Sequence, residues 1–208
     1  YVITVTDLEK DGYRSAIHLM DLAGGESFQF TSGTHRDSEP KWSPDGSKIA
    51  FISNRSGKNQ IWVIDADGGE ARQLTKLATG AGSHSWSPDG QFLAFTSRVK
   101  TGEDPLLEGD DKKKDKDKSD VKVITRLKYR FDGIGYYGDL RSQIFVVDVC
   151  RPGDPPCPAK MITGGDYDHE WPVWTPDGKL CFVASRREDA DANNRQDLWL
   201  ADPEDGRL

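Results

Sequence analysis

The chain is short of the residues that carry most protein chemistry. Its 208 residues include three cysteines, four histidines and two methionines. There is no G-x-S-x-G nucleophile elbow, no H-E-x-x-H and no C-x-x-C, so those hydrolase and zinc signatures are absent from the chain. No apolar run approaches the ~20 residues of a membrane helix. The opening YVITVTDL carries neither the basic start nor the apolar core of a signal peptide. It reads as a chain beginning in mid-strand, a piece of something longer. Excess positive charge is also lacking: 28 Lys and Arg against 35 Asp and Glu give a formal net charge of −7, and such a surface repels nucleic acid and anionic membranes.

Turn formers, by contrast, are plentiful, with 21 Gly and 11 Pro. They come in a repeated phrase. PKWSPDGSKIAFISNR begins at Pro40, HSWSPDGQFLAFTSR at His84 and PVWTPDGKLCFVASR at Pro172. Trp42 and Trp86 are 44 residues apart, and Trp86 and Trp174 are 88 apart. A period near 44 lies in the range of roughly 40–45 residues for four-stranded propeller blades. Ser43, Pro44 and Gly46 suit positions i, i+1 and i+3 of a type I turn, Gly46 supplying the positive φ of a bulged hairpin. Trp42 should end the strand before the turn. Lys48–Ser53, nearly continuous in apolarity, reads as a strand buried on both faces.

A second phrase follows each time: QIWVIDADGGEARQLT from Gln60, QIFVVDV from Gln143 and DLWLADPEDG from Asp197, with an earlier copy, AIHLMDLAGGE, from Ala16. Each is a strand ending in Asp, then a turn, then a short last strand. The expected fold is therefore all-β: a partial β-propeller of four-stranded antiparallel blades. The blades run over 1–33 (first strand missing), 34–75, 76–163 (with an inserted hairpin, 99–142) and 164–208 (last strand missing). About four blades belong to a larger ring of about seven, since a repeat unit cannot bury its faces without neighbours. The alternative, a degenerate blade inside the 88-residue gap, is weaker, because the strand ending at Arg98 finds its partner only at Gln143.

The insertion has two parts. From Asp110 to Asp120 it holds five Lys and five Asp, which reads as a solvated loop. VKVITRLKYRFDGIGYYGDLRSQIF differs: Val121, Val123 and Ile124 suggest a strand, and aromatics then alternate with charges. Such a hairpin either covers a site or packs its rings on the adjacent blade. The match of Gly133–Gly138 to G-x-G-x-x-G lacks the following helix of a dinucleotide site, so its glycines read as turn formers.

Other polar residues read as architecture. His18 suits a satisfied core position. His35, Asp37 and Glu39 alternate and would share one strand face, and Asp166, Asp168, His169 and Glu170 form a second cluster. Either could take a cation, but both lie between blades, where polar groups satisfy the backbone. No metal and no cofactor are expected. Asp65, Asp148 and Asp202 read as turn formers accepting backbone N–H bonds. Arg55, Arg98 and Arg186 recur at one blade position, and recurrence marks structure. Cys181 stands where Ala50 and Ala94 do and reads as a small buried filler. Cys150 and Cys157 flank a proline-rich loop and are compatible with either a disulfide or free thiols.

The pattern WSPDG–IAF–QIWVID–GGE–QLT resembles WD40-like propeller repeats found in two settings. One is the periplasmic Tol-associated propeller, a protein–protein interaction module without enzymatic activity. The other is the N-terminal propeller of the prolyl oligopeptidase family of serine peptidases. DVKVITRLKYRFDGIGYYGDLRSQIFVVDV resembles the acylaminoacyl-peptidase-like branch of that family, with Lys128 where Arg is common. This resemblance implies a parent hydrolase with a catalytic α/β-hydrolase domain outside this chain, short peptide substrates, and a cytoplasmic location (periplasmic in the other setting). It implies a propeller that gates access and is inactive alone. The substrate-facing candidates are Arg130, Asp132, Tyr136 and Tyr137, and no catalytic residue is carried by the chain. Neither nucleic acid nor membrane is an expected partner, and oligomerisation is left open.

Overall fold

The computed structural model describes residues 1–9, 11–100, 123–132, 135–136, 138–149 and 158–207. Tyr137, Cys150, Cys157 and the Lys/Asp run lie outside the described residues. Among the described residues every regular element is a strand, so none is a helix long and apolar enough to cross a membrane.

Four sheets follow one another, each antiparallel. The first contains β1 (Val2–Asp7), β2 (Gly12–Met20) and β3 (Ser27–Gln29). The second contains β4 (Asp37–Trp42), β5 (Lys48–Ser53), β6 (Gln60–Asp65) and β7 (Arg72–Gln73). The third contains β8 (Gly82–Trp86), β9 (Phe92–Lys100), β12 (Leu140–Asp148) and β13 (Lys160–Met161). The last contains β14 (His169–Trp174), β15 (Leu180–Ala184) and β16 (Asp197–Ala201). Between β9 and β12 a small hairpin pairs β10 (Arg130–Phe131) with β11 (Gly135–Tyr136). β9 and β12 pair from Leu140↔Lys100 to Asp148↔Phe92, with Gln143 opposite Ser97, so one blade is completed across the insertion. The all-β partial propeller expected from the repeat is the fold observed.

The repeated phrase makes the turn and the joints between blades. Gly46, Gly90 and Gly178 have φ of 71°, 71° and 83°, the left-handed region where glycine is unstrained. Each donates its N–H to the Ser or Thr that opens the turn, at 2.9, 2.9 and 3.0 Å. The Ser43 and Ser47 hydroxyls donate to the Asp45 carboxylate and hold its pKa down at about 2. The turn tryptophan then ties neighbours together: Trp86 Nε1 donates to the Lys41 carbonyl (3.0 Å) and Trp174 Nε1 to the Ser85 carbonyl (3.2 Å). Phe51, Phe95 and Phe182 occupy one place in successive sheets and are at most 1% exposed. Each faces the preceding sheet, while Ala50 and Ala94 face the next. Burying one such phenylalanine contributes about 1.5–3 kcal/mol.

The second phrase closes the outer strand. Thr75 Oγ1 accepts from the Ile61 amide (2.9 Å) and donates to Gln60 Oε1 (2.8 Å). Thr163 does the same for Ile144 and Gln143, at 2.9 and 2.8 Å. This is the reason for Q-I at one end and Q-L-T at the other.

Several expectations need correction. Cys181 keeps the alanine position but is half-buried, because no described strand covers that face of the last sheet. His18 is half-buried and stacks on Tyr1 at 5.4 Å instead of lying in the core. Val123 and Ile124 form no strand: neither has a partner strand among the described residues, and they are 84% and 50% exposed, while Val121 lies outside the described residues. His35, Asp37 and Glu39 do not share a face. β4 begins only at Asp37, and a bulge with φ of 51° at Glu39 breaks the alternation. Asp202 accepts the Glu204 amide as a turn former at 2.9 Å, but the Asp65 carboxylate instead pairs with Lys48 across the strand at 3.4 Å.

Candidate functional site

In a four-stranded antiparallel sheet the first-to-second and third-to-fourth turns share one end. The second-to-third loops and the links between sheets share the other. The insertion, the link before β14 and the 185–196 loop therefore gather at one end of the third and fourth sheets. A charged cleft of about 350 Å³ opens there. Arg98, Arg126, Lys128, Arg141 and Arg195 line it together with Asp166, Asp168, Glu170 and Asp191.

Arg98 is in the cleft for a reason visible in the spacing. Arg55 and Arg186 stand four residues after Phe51 and Phe182, but Arg98 stands three after Phe95. One residue along a strand reverses the side chain's face. Leu93, Phe95 and Val99 pack toward the second sheet, and Ala94, Thr96 and Arg98 alternate with them toward the fourth. The shared position expected for all three arginines holds for two. Arg55 Nη2 meets both Asp37 oxygens at 3.0 Å and lies over Phe51 and Trp62. Arg186 lies over Trp199 and Tyr167, with His169 in the place of Asp37.

The acids come from the start of β14. Asp168 and Glu170 share a face, while His169 between them is fully buried on the other. Asp168 Oδ1 accepts the Ser142 amide at 2.8 Å. Burial raises its pKa, and burial and then the neighbouring Asp168 raise that of Glu170. Arg98 opposes both shifts. His169 is pushed down to about 4 by burial and by Arg186, so it is neutral at pH 7. Among the described residues no group of three His, Cys, Asp or Glu side chains could hold a metal ion.

One wall of the cleft is the segment before the inserted hairpin. Arg126 and Arg141 both pair with Asp166, the latter at 2.8 Å, and Arg141 is buried. The Asp191 carboxylate accepts the amides of Leu127 (2.7 Å) and Lys128 (2.9 Å), and these lower its pKa. Lys128 Nζ donates to the carbonyls of Ala190 (2.6 Å) and Asn193.

Of the candidates read from the sequence, Arg130 and Tyr136 are brought together, opposite each other on the hairpin with the guanidinium 5.8 Å from the ring. Tyr129 adds a ring 6.5 Å from Tyr136. Asp132 is exposed at the tip. Neither Arg130, Tyr136 nor Asp132 lines the cleft, but Phe131 between them does. Gly138, with φ of 57°, lies in the turn into β12, as expected of a turn former, whereas Gly135, with φ of 80°, pairs with Phe131 in β11, and Gly133 lies outside the described residues. In the sequence Asp191 does not read as a site residue, and Lys128 and Arg141 stand out only as charges near the aromatics, Lys128 also for standing where Arg is common. The roles of Arg141 and Lys128 show only once their partners are placed, and nothing near Asp191 in sequence marks it.

Sheets stacked face to face through phenylalanine and tied by tryptophan define a β-propeller domain. Residues 3–128 match the TolB beta propeller domain family, and the chain belongs to it. It is 35% identical over 202 residues to a Bacillus subtilis (strain 168) protein named "Uncharacterized peptidase YuxL". That match covers 96% of this chain and 30% of the relative, so the chain spans less than a third of the relative's length. Among solved structures, Pyrococcus horikoshii acylaminoacyl peptidase matches with a TM-score of 0.65 at 22% identity, over 97% of this chain and 29% of that one. TolB from Acinetobacter baumannii matches with a TM-score of 0.57 at 18% identity, over 99% of this chain and 38% of that one. These two likenesses show the fold.

Proposed function

We propose that this chain is the non-catalytic propeller part of a serine peptidase, admitting short peptides to an α/β-hydrolase domain elsewhere in the same parent chain. The observation that carries the reading is the 35% identity, over nearly the whole chain, to a protein named as a peptidase. The absence of a G-x-S-x-G elbow here fits a division of labour in which the nucleophile lies in the unmatched remainder of such a parent. The charged cleft and the aromatic hairpin share one end of the blades, where they form a polar, aromatic surface suited to peptides. On the hairpin, Arg130 would meet a carboxylate, Asp132 an ammonium, and Tyr136 an apolar side chain; Tyr137, next in sequence, would serve the same role as Tyr136.

The test uses the full-length protein. It should react with a fluorophosphonate probe at a serine outside residues 1–208 and hydrolyse N-acetylated or free short peptide anilides. No labelling together with no hydrolysis overturns the reading. A second reading, a TolB-type module that binds other proteins, is favoured by the family match over residues 3–128. It predicts an inactive parent that retains a protein partner through this end of the blades.

A further inference from the structure

The 187–196 loop carries a set of internal hydrogen bonds. Arg187 forks onto both Asp197 oxygens at 3.1 Å, the Ala190 and Ala192 amides donate to Arg187 and Asp189 carbonyls, and Asn193 Nδ2 donates to the Asp189 carbonyl. From this loop the Asp191 carboxylate holds two successive amides of the insertion, Leu127 and Lys128. Lys128 returns the contact, its ammonium on the Ala190 and Asn193 carbonyls of the same loop. Arg126 is tied to Asp166, which also holds the buried Arg141. Three consecutive residues are thus fixed to the fourth sheet, although they belong to the insertion of the third. The hairpin begins two residues later, at Arg130, with Phe131 reaching into the cleft. A one-oxygen acceptor could not serve both amides with the same geometry, so the carboxylate is needed.

We infer that Asp191 is a positioning residue: by holding the Leu127 and Lys128 amides it fixes the aromatic hairpin beside the charged cleft, with Phe131 in its wall, and so sets which peptides enter. The part concerning peptides rests on the peptidase reading; the latch itself does not.

The experiment takes the full-length protein and its Asp191→Ala and Asp191→Glu variants. The first readout is tryptic cleavage after Arg126, Lys128 and Arg130 in the native protein, followed by mass spectrometry. Asp191→Ala should speed these cleavages about tenfold or more, because cleavage follows the open population. Asp191→Glu, which keeps the carboxylate, should restore most of the protection. The second readout is hydrolysis: in Asp191→Ala, KM for tri- to pentapeptides should shift about fivefold, and in Asp191→Glu it should return most of the way to the wild-type value. If Asp191→Ala fails to fold, Asp191→Asn, which keeps the side-chain shape, takes its place in both readouts. Unchanged tryptic rates overturn the latch. Faster cleavage with an unchanged KM for every peptide overturns the role in selection. A parent with no peptidase activity overturns the peptidase reading while the tryptic rates still decide the latch.

Discussion

Asp37→Ala should loosen the second blade far more than its size suggests. Asp37 is fully buried, and both its oxygens accept from one Arg55 nitrogen at 3.0 Å. Removing one partner of a buried pair costs about 3–5 kcal/mol, because the remaining charge is left uncompensated. Arg55 is not wholly sealed: its side chain is 19% exposed and lies 5.1 and 4.9 Å from the Phe51 and Trp62 rings. The cost should therefore fall at the low end, about 3 kcal/mol. That corresponds to roughly a hundredfold faster hydrogen exchange of amides protected by opening of this blade. Exchange mass spectrometry on the full-length protein reads it directly, with peptides over β4 and β5 responding and peptides over β15 and β16 unchanged. The double variant Asp37→Ala/Arg55→Met should recover most of the protection, since an apolar replacement of both partners leaves no stranded charge. A change below about threefold in Asp37→Ala, or no recovery in the double variant, would refute the reasoning.

Other expectations follow from the same contacts. Trp86→Phe removes both the hydrogen bond to the Lys41 carbonyl and part of a buried ring, and should cost about 1–3 kcal/mol in a urea titration. Gly80→Ala places a Cβ 2.9 Å from the Asn59 carbonyl at φ of 84°, so the urea midpoint should fall by the equivalent of about 1–3 kcal/mol. His84 and His169 are both pushed down to about 4, chiefly by burial. Folded pKa values below the unfolded one mean stability is complete above about pH 6.5 and is lost as the pH falls toward 4. His84→Gln should flatten the fall of Tm across that window. Glu170 carries the opposite sign, its raised pKa penalising the fold at neutral pH, so Glu170→Gln should raise Tm at pH 7 and leave it unchanged at about pH 4.

The architecture was legible because it is written several times. Three turns of one composition and four copies of a strand ending in Asp leave little freedom, and the period alone points to blades. Even Gln143 as the resumption of an interrupted blade could be read, since its phrase repeats Gln60. The cleft was harder, because it is made by departures from the repeat. Arg98 looks like Arg55 until the missing residue before it is counted, and that residue turns it from one face of the blade to the other. His169 and Asp37 differ in type yet sit in one place, which only the register reveals. Asp191 lies 63 residues from the Lys128 amide it holds, and no local pattern announces such a partner. Val123 and Ile124 had strand-forming composition but no partner strand among the described residues, and composition alone does not make a strand.

The central claim is that this propeller admits short peptides to a catalytic domain in its parent. Its most direct test is the rate of hydrolysis by the full-length protein of a peptide series sharing one cleavable end, from three residues to a folded domain. A propeller that admits short peptides makes kcat/KM fall steeply as the peptide lengthens, with the folded domain uncut. Equal turnover at every length, or none at any length, would contradict it.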